Sequence, residues 1–196
     1  MNKEICLATN NKGKLREYRE ILAPMGFVIY SLSDLNLDID PDETGTTYRE
    51  NSYIKAKAVA EAVNMPVISD DSGLEVNALD KFPGLKSSRF AKEYGGYPSV
   101  FDELNRRLEG KEDRSGQFVC CICYLESKDA KPLYFEGECP GIILPKAVGD
   151  HGFGYDPIFH STELDMPLGV APEEDKNRIS HRAKAIKKLE IFLAVK

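Results

Sequence analysis

Val67-Ile68-Ser69-Asp70-Asp71-Ser72-Gly73-Leu74 places two adjacent carboxylates directly after an apolar run. The apolar residues are typical of a strand, and the Asp-Asp-Ser-Gly composition predicts a sharp bend at its end. Two neighbouring carboxylates repel each other unless one is protonated, one turns away, or a cation lies between them. Hard divalent cations such as Mg²⁺ prefer oxygen ligands. The stretch therefore fits either a solvated strand end or a cation site.

Short strands and helices alternate around this stretch. Thr47-Tyr48-Arg49-Glu50 has the form of a capping box, with a hydroxyl at the N-cap and a glutamate three residues later, and predicts the start of a helix. The order strand, helix, strand, helix, strand predicts an α/β layer arrangement. The elements predicted in this part of the chain are strands at 4–9, 27–30, 67–69 and 74–79 and helices around 15–22 and 48–63.

The next segment, 81–98, is punctuated by glycine and proline and is predicted to be an ordered surface loop. Segments 117–125 and 132–140 predict a β-hairpin whose first arm is apolar on both faces and therefore central. The remaining predictions are a helix at 100–108, a strand at 141–144, a long loop at 161–175, and a terminal helix with Ala183, Ile186, Leu189 and Leu193 on its apolar face.

The composition is that of an ordinary globular protein of 196 residues, enough for one domain or two closely joined lobes. The net charge of −6 argues against a general nucleic-acid binder, which needs an electropositive surface. No apolar run approaches the ~18 to 20 residues that cross a bilayer. The N-terminus has no signal-peptide pattern, so we expect a cytoplasmic protein without a membrane partner.

The five cysteines are expected to be small buried residues rather than disulfide partners or metal ligands. Adjacent strand residues point to opposite faces, and no second Cys or His cluster completes a zinc site. The residues concerned are Cys6, Cys120, Cys121, Cys123 and Cys139.

Thr9-Asn10-Asn11-Lys12-Gly13-Lys14 lies between the first predicted strand and the N-terminus of the first predicted helix. Backbone N–H groups and the positive end of the helix dipole attract anions at such a place, and Lys12 and Lys14 add charge. The segment lacks the spacing of a P-loop. It is therefore either an anion site or a simple turn rich in asparagine and glycine.

A second basic segment, Lys176-Asn177-Arg178-Ile179-Ser180-His181-Arg182, leads into the terminal helix. His181 and Arg182 stand in its first turn, where a positive charge is unfavourable by ~0.3 to 1 kcal/mol. Either an anion binds nearby or the protein's own acids form salt bridges with these residues.

Two further segments could face a ligand. In Phe153-Gly154-Tyr155-Asp156-Pro157 the glycine leaves room for a flat ligand beside an aromatic ring, and stacking on a nucleobase contributes ~1 to 3 kcal/mol. Core packing is the alternative for at least one of the two rings. On the helix that follows Thr47, Asn51 and Lys55 are four residues apart and share a face, which either lines a cleft or is solvated.

Together these segments closely resemble the inosine triphosphate pyrophosphatase family, also called Ham1-like proteins, over essentially the whole chain. The resemblance rests on six ordered blocks, and it departs from the usual pattern at Tyr48 (usually Phe), Ser52 (usually Ala) and Ser88 (usually Ala). The blocks are Thr9, Asn11 and Lys14; Tyr48-Arg49-Glu50-Asn51-Ser52 with Lys55-Ala56; Asp70-Asp71-Ser72-Gly73-Leu74; Pro83-Gly84 with Ser87-Ser88-Arg89; Gly152-Phe153-Gly154-Tyr155-Asp156-Pro157 with Phe159; and Ser180-His181-Arg182.

The resemblance implies an α/β fold in which a mixed, twisted sheet is flanked by helices and two lobes surround a central cleft. It implies one domain over residues 1–196, usually as a homodimer. The activity implied is Mg²⁺-dependent hydrolysis of ITP, dITP and XTP to the monophosphate and pyrophosphate, in preference to ATP and GTP. Two alternatives stay open: a related pyrophosphatase that prefers another modified nucleotide, and a nucleotide-binding sensor without catalysis.

The resemblance also implies roles for individual residues. Asp71 matches the family's proposed proton acceptor and is an expected Mg²⁺ ligand. The second ligand is expected at Asp42, where the family often has glutamate, or at the following Glu43. The expected substrate-binding residues are Thr9, Asn10, Asn11, Lys12, Gly13, Lys14, Lys55, Ser72, Phe153, Gly154, Tyr155, Asp156, Lys176, His181 and Arg182.

Overall fold

A mixed β-sheet flanked by helices organises the polypeptide, as a computed structural model that describes residues 3–195 shows. The predicted α/β class is confirmed. The strands are β1 (Glu4–Leu7), β2 (Val28–Ser31), β3 (Val67–Val76), β4 (Ser115–Leu125), β5 (Leu133–Ile143), β6 (Phe159–Ser161) and β7 (Met166–Pro167). The helices are α1 (Lys12–Leu22), α2 (Tyr48–Ala60), α3 (Ser87–Glu93), α4 (Tyr97–Arg107), α5 (Glu173–Ile179) and α6 (His181–Ala194).

The strands pair in the order β2-β1-β3-β4-β5-β6-β7. β1 is parallel to β2 and to β3, whereas β6 is antiparallel to β5 and to β7. β4 and β5 are neighbours, and β4 lies fourth of seven, which confirms the prediction that it is central. No helix within residues 3–195 combines the length and the apolar character needed to cross a membrane.

Two compact units divide residues 3–195. The first contains the residues up to Asp71, Cys120–Gly137, and those from Arg182 onward; the second contains Ser72–Val119 and Glu138–His181. β3, β4 and β5 each contribute residues to both units.

The core of the first unit lies on both faces of β4. Ile122 packs with residues of α1 and α6 on one face, and Cys123 packs with residues of α2 on the other. Because successive strand side chains point to opposite faces, a strand covered on both sides must be apolar at every position. All five cysteines are buried and free of disulfides, as predicted.

In the core of the second unit, α3 and α4 pack against residues of β3 and of the segment that leads into β6. Phe90 of α3 and Leu104 of α4 pack with Leu74, Ile158 and Phe159. These side chains are nearly or fully buried. The hydrophobic effect of this burial holds α3 and α4 in place.

The bend predicted after Ser69 is wrong, because β3 runs without interruption through Asp70, Asp71, Ser72 and Gly73 to Val76. Asp70 is 1% and Asp71 6% exposed. Buried carboxylates are tolerated where cations or hydrogen-bond donors match them. The polar composition of this stretch predicted a solvated bend. Ion pairs with basic residues instead keep the two aspartates inside the sheet.

Two segments predicted as loops contain helices. α3 lies within 81–98 and buries Phe90 and Ala91, although glycines and prolines surround it. α5 lies partly within 161–175 and has Glu173, Glu174 and Asp175 in its first turn. Acids at a helix N-terminus interact favourably with the helix dipole, so a helix start was encoded in this loop.

Candidate active site

Asp70 and Asp71 have separate surroundings, although they are neighbours in β3. Asp70 accepts a hydrogen bond from the Cys120 thiol at 3.6 Å, on the side of the sheet covered by α1 and α6. Asp71 lies 3.5 Å from the ammonium of Lys55, which belongs to α2. Strand alternation thus turns the two carboxylates apart and gives each its own cation.

Asp70 lies in a buried chain of alternating charges. Its Oδ1 is 3.1 Å from Lys14 Nζ, and its Oδ2 accepts a hydrogen bond of 3.0 Å from Arg182 Nε. Arg182 Nη1 also donates to Glu17. Burial alone would raise the pKa of Asp70, but Lys14 and Arg182 outweigh it and hold that pKa far below its usual value. Asp70 is therefore ionised and committed to two cations.

This chain of charges explains the unfavourable cation in the first turn of α6. The anions near Arg182 are the protein's own carboxylates of Glu17 and Asp70. Arg182 is 2% exposed. Of the two explanations considered from the sequence, the internal salt bridge is the one that the structure contains. Nε and Nη1 of Arg182 contact Asp70 and Glu17, and its substrate contact stays a prediction.

The turn before α1 forms a helix N-terminus that is capped by its own side chains. Thr9 Oγ1 accepts a hydrogen bond from Asn11 N, and Asn11 Oδ1 caps the helix by accepting one from Lys14 N, both at 3.1 Å. The first turn of α1 has no acidic residue. Lys14 also donates to the backbone carbonyl of Asp70 at 3.4 Å, which fixes its ammonium beside β3. Asn10 and Lys12 are exposed and Gly13 is half-buried. The turn therefore offers N–H groups and a positive dipole to an anion.

Lys55 lies between two carboxylates of the first unit. Its ammonium is 2.7 Å from Glu43 Oε1 and 3.5 Å from Asp71 Oδ1. Burial raises the pKa of Asp71, and Glu43 adds to this rise, whereas Lys55 and Lys14 oppose it. Burial would lower the pKa of Lys55, but the carboxylates of Asp71, Asp70 and Glu43 outweigh it and raise that pKa. Lys55 is therefore held as a cation.

Close packing on α2 positions the loop that carries Glu43. Gly45 N donates a hydrogen bond of 2.8 Å to Asn51 Oδ1. A Cβ at Gly45 would meet the Asn51 oxygen and the Glu50 Cβ at 2.6 Å each, so only glycine fits. Asp42, the predicted second ligand, is exposed. The neighbouring Glu43 contacts the Lys55 ammonium, which in turn contacts Asp71.

The carboxylates of Asp71 and Glu43 form a small donor set for a divalent cation. Within residues 3–195, no three His, Cys, Asp or Glu side chains are grouped to hold a metal ion. Mg²⁺, however, is often held by one or two carboxylates together with waters and substrate phosphates. Asp71 Oδ2 is buried and receives no hydrogen bond from the described part of the chain. These residues fit a cation that is completed by a phosphate ligand.

The second unit contains an aromatic ring, a lysine and a carboxylate in contact. Lys176 Nζ lies 4.6 Å from the centroid of the Phe153 ring and donates a hydrogen bond of 2.6 Å to Asp156 Oδ2. The same oxygen accepts a bond of 2.8 Å from Phe153 N. Asp156 and Lys176 are about 95% buried, whereas Phe153 is half-buried. Asp156 thus fixes both the lysine and the backbone of the ring.

Of the two aromatic residues in this segment, Tyr155 belongs to the core. It is buried, and its hydroxyl donates to the Ser87 carbonyl at 2.8 Å. Phe153 is the ring that keeps partial exposure, with Gly152 and Gly154 at positive φ on either side. Gly152 has a further constraint, because a Cβ there would lie 2.1 Å from Asp156 Oδ2.

Two further predicted substrate-binding residues, His181 and Ser72, belong to the second unit. His181 is 8% exposed and stacks on Phe118, with ring centroids 4.9 Å apart. Ser72 is half-buried in β3. Sequence reasoning missed Glu17 and Phe118 as partners of Arg182 and His181. The position of Glu17 in the first predicted helix, three residues after Lys14 and four before Ile21, was only a weak indication that it is buried. Phe118 had no feature that separated it from other residues of its strand.

Comparisons with known proteins agree with the resemblance seen in the sequence. The Ham1 family model matches residues 5–192. The chain is 41% identical to the dITP/XTP pyrophosphatase of Staphylococcus aureus (strain MRSA252) over 98% of this chain and 97% of that protein. It is 40% identical to the protein of the same name from Bacillus subtilis (strain 168), over 97% of both chains.

Solved structures give the same result. A HAM1 protein from Coxiella burnetii superposes with a TM-score of 0.90 at 34% identity, covering 98% of this chain and 99% of that one. The Staphylococcus aureus Ham1 protein superposes with a TM-score of 0.86 at 40% identity, covering 97% and 98%. This chain belongs to the Ham1 family.

Proposed function

We propose that this protein hydrolyses nucleoside triphosphates of deaminated purines, ITP, dITP and XTP, to the monophosphate and pyrophosphate. The observation that carries the proposal is the buried Asp71 carboxylate, which lies 3.5 Å from the Lys55 ammonium and has a pKa that burial raises. The proposal is supported by relatives at about 40% identity over nearly the whole chain that are named dITP/XTP pyrophosphatases.

The triphosphate is proposed to bind the first unit. The N-terminus of α1 offers backbone N–H groups, and Lys14 is held beside β3 by Asp70. Cations and helix dipoles of this kind stabilise the charge that develops on a departing pyrophosphate. Asp70 and Arg182 act here as positioning residues for Lys14. Residues 9–13 are proposed to hold phosphate oxygens through their backbone and side chains.

Asp71 is proposed as the proton acceptor for the attacking water. Burial raises the pKa of this carboxyl, which brings a carboxylate closer to the basicity that a general base needs. We propose Mg²⁺ as the cofactor, held by Asp71 and Glu43, where it would neutralise phosphate charge and make water a better nucleophile. We favour Glu43 over Asp42 as the second ligand, because the carboxylates of Glu43 and Asp71 both contact the Lys55 ammonium.

The base is proposed to bind the second unit, against the Phe153 ring, with Lys176 and Asp156 at its edge and His181 and Ser72 as further contacts. A 6-oxo purine presents an acceptor where adenine presents an amino donor. A buried ammonium beside the ring, such as Lys176, therefore favours the 6-oxo group of hypoxanthine and xanthine over the amino group of adenine. Lys176 is the stronger candidate for this role than Arg182, because its ammonium lies 4.6 Å from the centroid of the Phe153 ring.

We further propose a single two-lobed domain over residues 1–196, a homodimer, and the cytoplasm as the compartment. The single domain is supported by β3, β4 and β5, which contribute to both compact units. The compartment is supported by five buried cysteines without a disulfide, since reducing compartments keep thiols free. The homodimer is supported by the family resemblance, and analytical ultracentrifugation tests it.

The activity is tested with a substrate panel of ITP, XTP, dITP, ATP and GTP, assayed separately for pyrophosphate and for orthophosphate, with Mg²⁺ and with excess chelator. The expected result is pyrophosphate from ITP, XTP or dITP, much slower release from ATP and GTP, and loss of release with chelator. Orthophosphate as the first product would contradict the proposal. Binding of these nucleotides without any product would favour a nucleotide sensor instead.

A further inference from the structure

Lys55 already occupies a cation position between two carboxylates. Its ammonium contacts both Glu43 and Asp71, and its side chain is 16% exposed, against 8% for Asp71 and 28% for Glu43. Within this group of three side chains, one positive charge faces two carboxylates. A divalent cation at the same place would balance both of them.

We propose that the Lys55 ammonium and a divalent cation compete for the carboxylates of Glu43 and Asp71, so that metal binding releases Lys55. This inference rests on the proposed function, because it takes Asp71 and Glu43 as the metal ligands. It adds that Lys55 sets the affinity of the metal site. In this scheme Lys55 lowers the affinity for the free cation.

Charge favours a competition. An ammonium and a metal ion held by the same two carboxylates lie close together and repel each other at short range. A divalent cation neutralises both carboxylates, which one ammonium cannot do. The released ammonium needs a new anion, and a polyphosphate bound to the same metal supplies one.

The competition links metal affinity to substrate. Without a polyphosphate, release of Lys55 leaves a largely buried ammonium without its carboxylates, which is costly. With a polyphosphate, the ammonium gains an anionic partner. The site should therefore bind a divalent cation weakly by itself and more tightly with a non-hydrolysable nucleotide triphosphate.

The test is the affinity of the purified protein for Mn²⁺, measured from the electron paramagnetic resonance signal of free Mn²⁺ without nucleotide. Lys55→Met removes the competing charge and is expected to bind Mn²⁺ about tenfold more tightly than wild type, the factor expected for ~1.4 kcal/mol of lost competition. Lys55→Gln is the second variant, for the case that the methionine variant does not fold. Lys55→Arg keeps the charge and is expected to bind Mn²⁺ as weakly as wild type.

Two matched variants separate direct competition from a general change of charge. Lys57→Met removes a positive charge from the same helix, but Lys57 pairs with Glu61. Lys14→Met removes a charge beside Asp70 that also acts on Asp71, so it is expected to bind Mn²⁺ more tightly than wild type but less tightly than Lys55→Met. Lys57→Met is expected to bind Mn²⁺ with nearly wild-type affinity. An equal gain in all three methionine variants would overturn the proposal in favour of a general electrostatic effect.

The outcomes distinguish this inference from the proposed function. If Asp71→Asn binds Mn²⁺ as wild type does, the metal ligands are wrong and both proposals fail. If Asp71→Asn loses Mn²⁺ binding while Lys55→Met and Lys55→Gln bind it no more tightly than wild type, only the competition is refuted. Thermal unfolding gives a second readout: Mn²⁺ should raise the melting temperature of Lys55→Met more than that of wild type.

Discussion

The Asp70 carboxylate joins Lys14 to Arg182, lying 3.1 Å from the first and accepting a hydrogen bond of 3.0 Å from the second. Asp71, the next residue in β3, contacts Lys55 instead. Strand alternation therefore separates a positioning carboxylate from the carboxylate proposed to react. The two acids should respond differently to the same substitution.

Asp70→Asn is expected to lower the free energy of unfolding by roughly 3 to 5 kcal/mol, because it leaves buried cations without their shared anion. Urea denaturation monitored by circular dichroism measures this change. Glu61→Gln is the control, since it also removes one carboxylate from an ion pair with a lysine, but at the surface. A similar loss in both variants would contradict a special role for the buried pair.

Acid should weaken wild type through Asp70. The pKa of Asp70 is depressed in the folded state, so its stabilising effect is complete above the unfolded pKa of about 3.9 and is lost as the pH falls below that value. Over that range the wild-type stability should fall by up to ~1.4 kcal/mol per pH unit more steeply than that of Asp70→Asn. Urea titrations at pH 5, 4 and 3 measure the two slopes. Parallel slopes would show that Asp70 is not an ionised partner.

Gly152→Ala is expected to reduce turnover strongly by breaking the contact between Asp156 and the Phe153 backbone. Its Cβ would lie 2.1 Å from Asp156 Oδ2, in addition to the strain of its positive φ. Gly110→Ala is a matched control, because Gly110 has a φ of +73° but nothing within 4 Å of an added Cβ. Steady-state kinetics on ITP compare the two. Equal loss of activity would mean that backbone strain alone is responsible.

Phe153→Ala should raise the KM for ITP by roughly 5- to 150-fold, since base stacking contributes ~1 to 3 kcal/mol. The Phe153 ring is half-buried beside Lys176, whereas Tyr155, the other aromatic residue of its segment, is buried. Phe153→Tyr keeps the stacking surface and should stay near wild type. If KM is unchanged in the alanine variant, the base does not stack on this ring.

Much of the fold could be predicted from patterns that reflect local physics. The capping box at Thr47 and the doubly apolar 117–125 segment both indicated elements that the structure contains, because capping and burial act over a few residues. β3 was harder, since its acids are stabilised by Lys14, Arg182 and Lys55 from distant parts of the sequence. Likewise α3 is held by the burial of Phe90, which local sequence does not reveal.

The sequence indicated candidate site residues but not their contacts with one another. Lys14, Lys55 and Asp71 were candidates, and the structure brings Lys55 to Asp71 but Lys14 to Asp70. Glu17 was missed because a single acid in a helix carries no mark of its partner 165 residues away. The sequence left Asp42 and Glu43 open as the second ligand, because their positions depend on the path of one loop, in which Gly45 N donates to Asn51 Oδ1.

The central claim is that Asp71 accepts the proton of the attacking water while pyrophosphate departs, which requires attack at the α-phosphorus. The most direct measurement is hydrolysis of ITP in ¹⁸O-labelled water, with mass spectrometry of both products. We expect the label in the monophosphate and none in the pyrophosphate, and we expect Asp71→Asn to keep its melting temperature but lose turnover. Label in the pyrophosphate, or an active Asp71→Asn enzyme, would contradict the account.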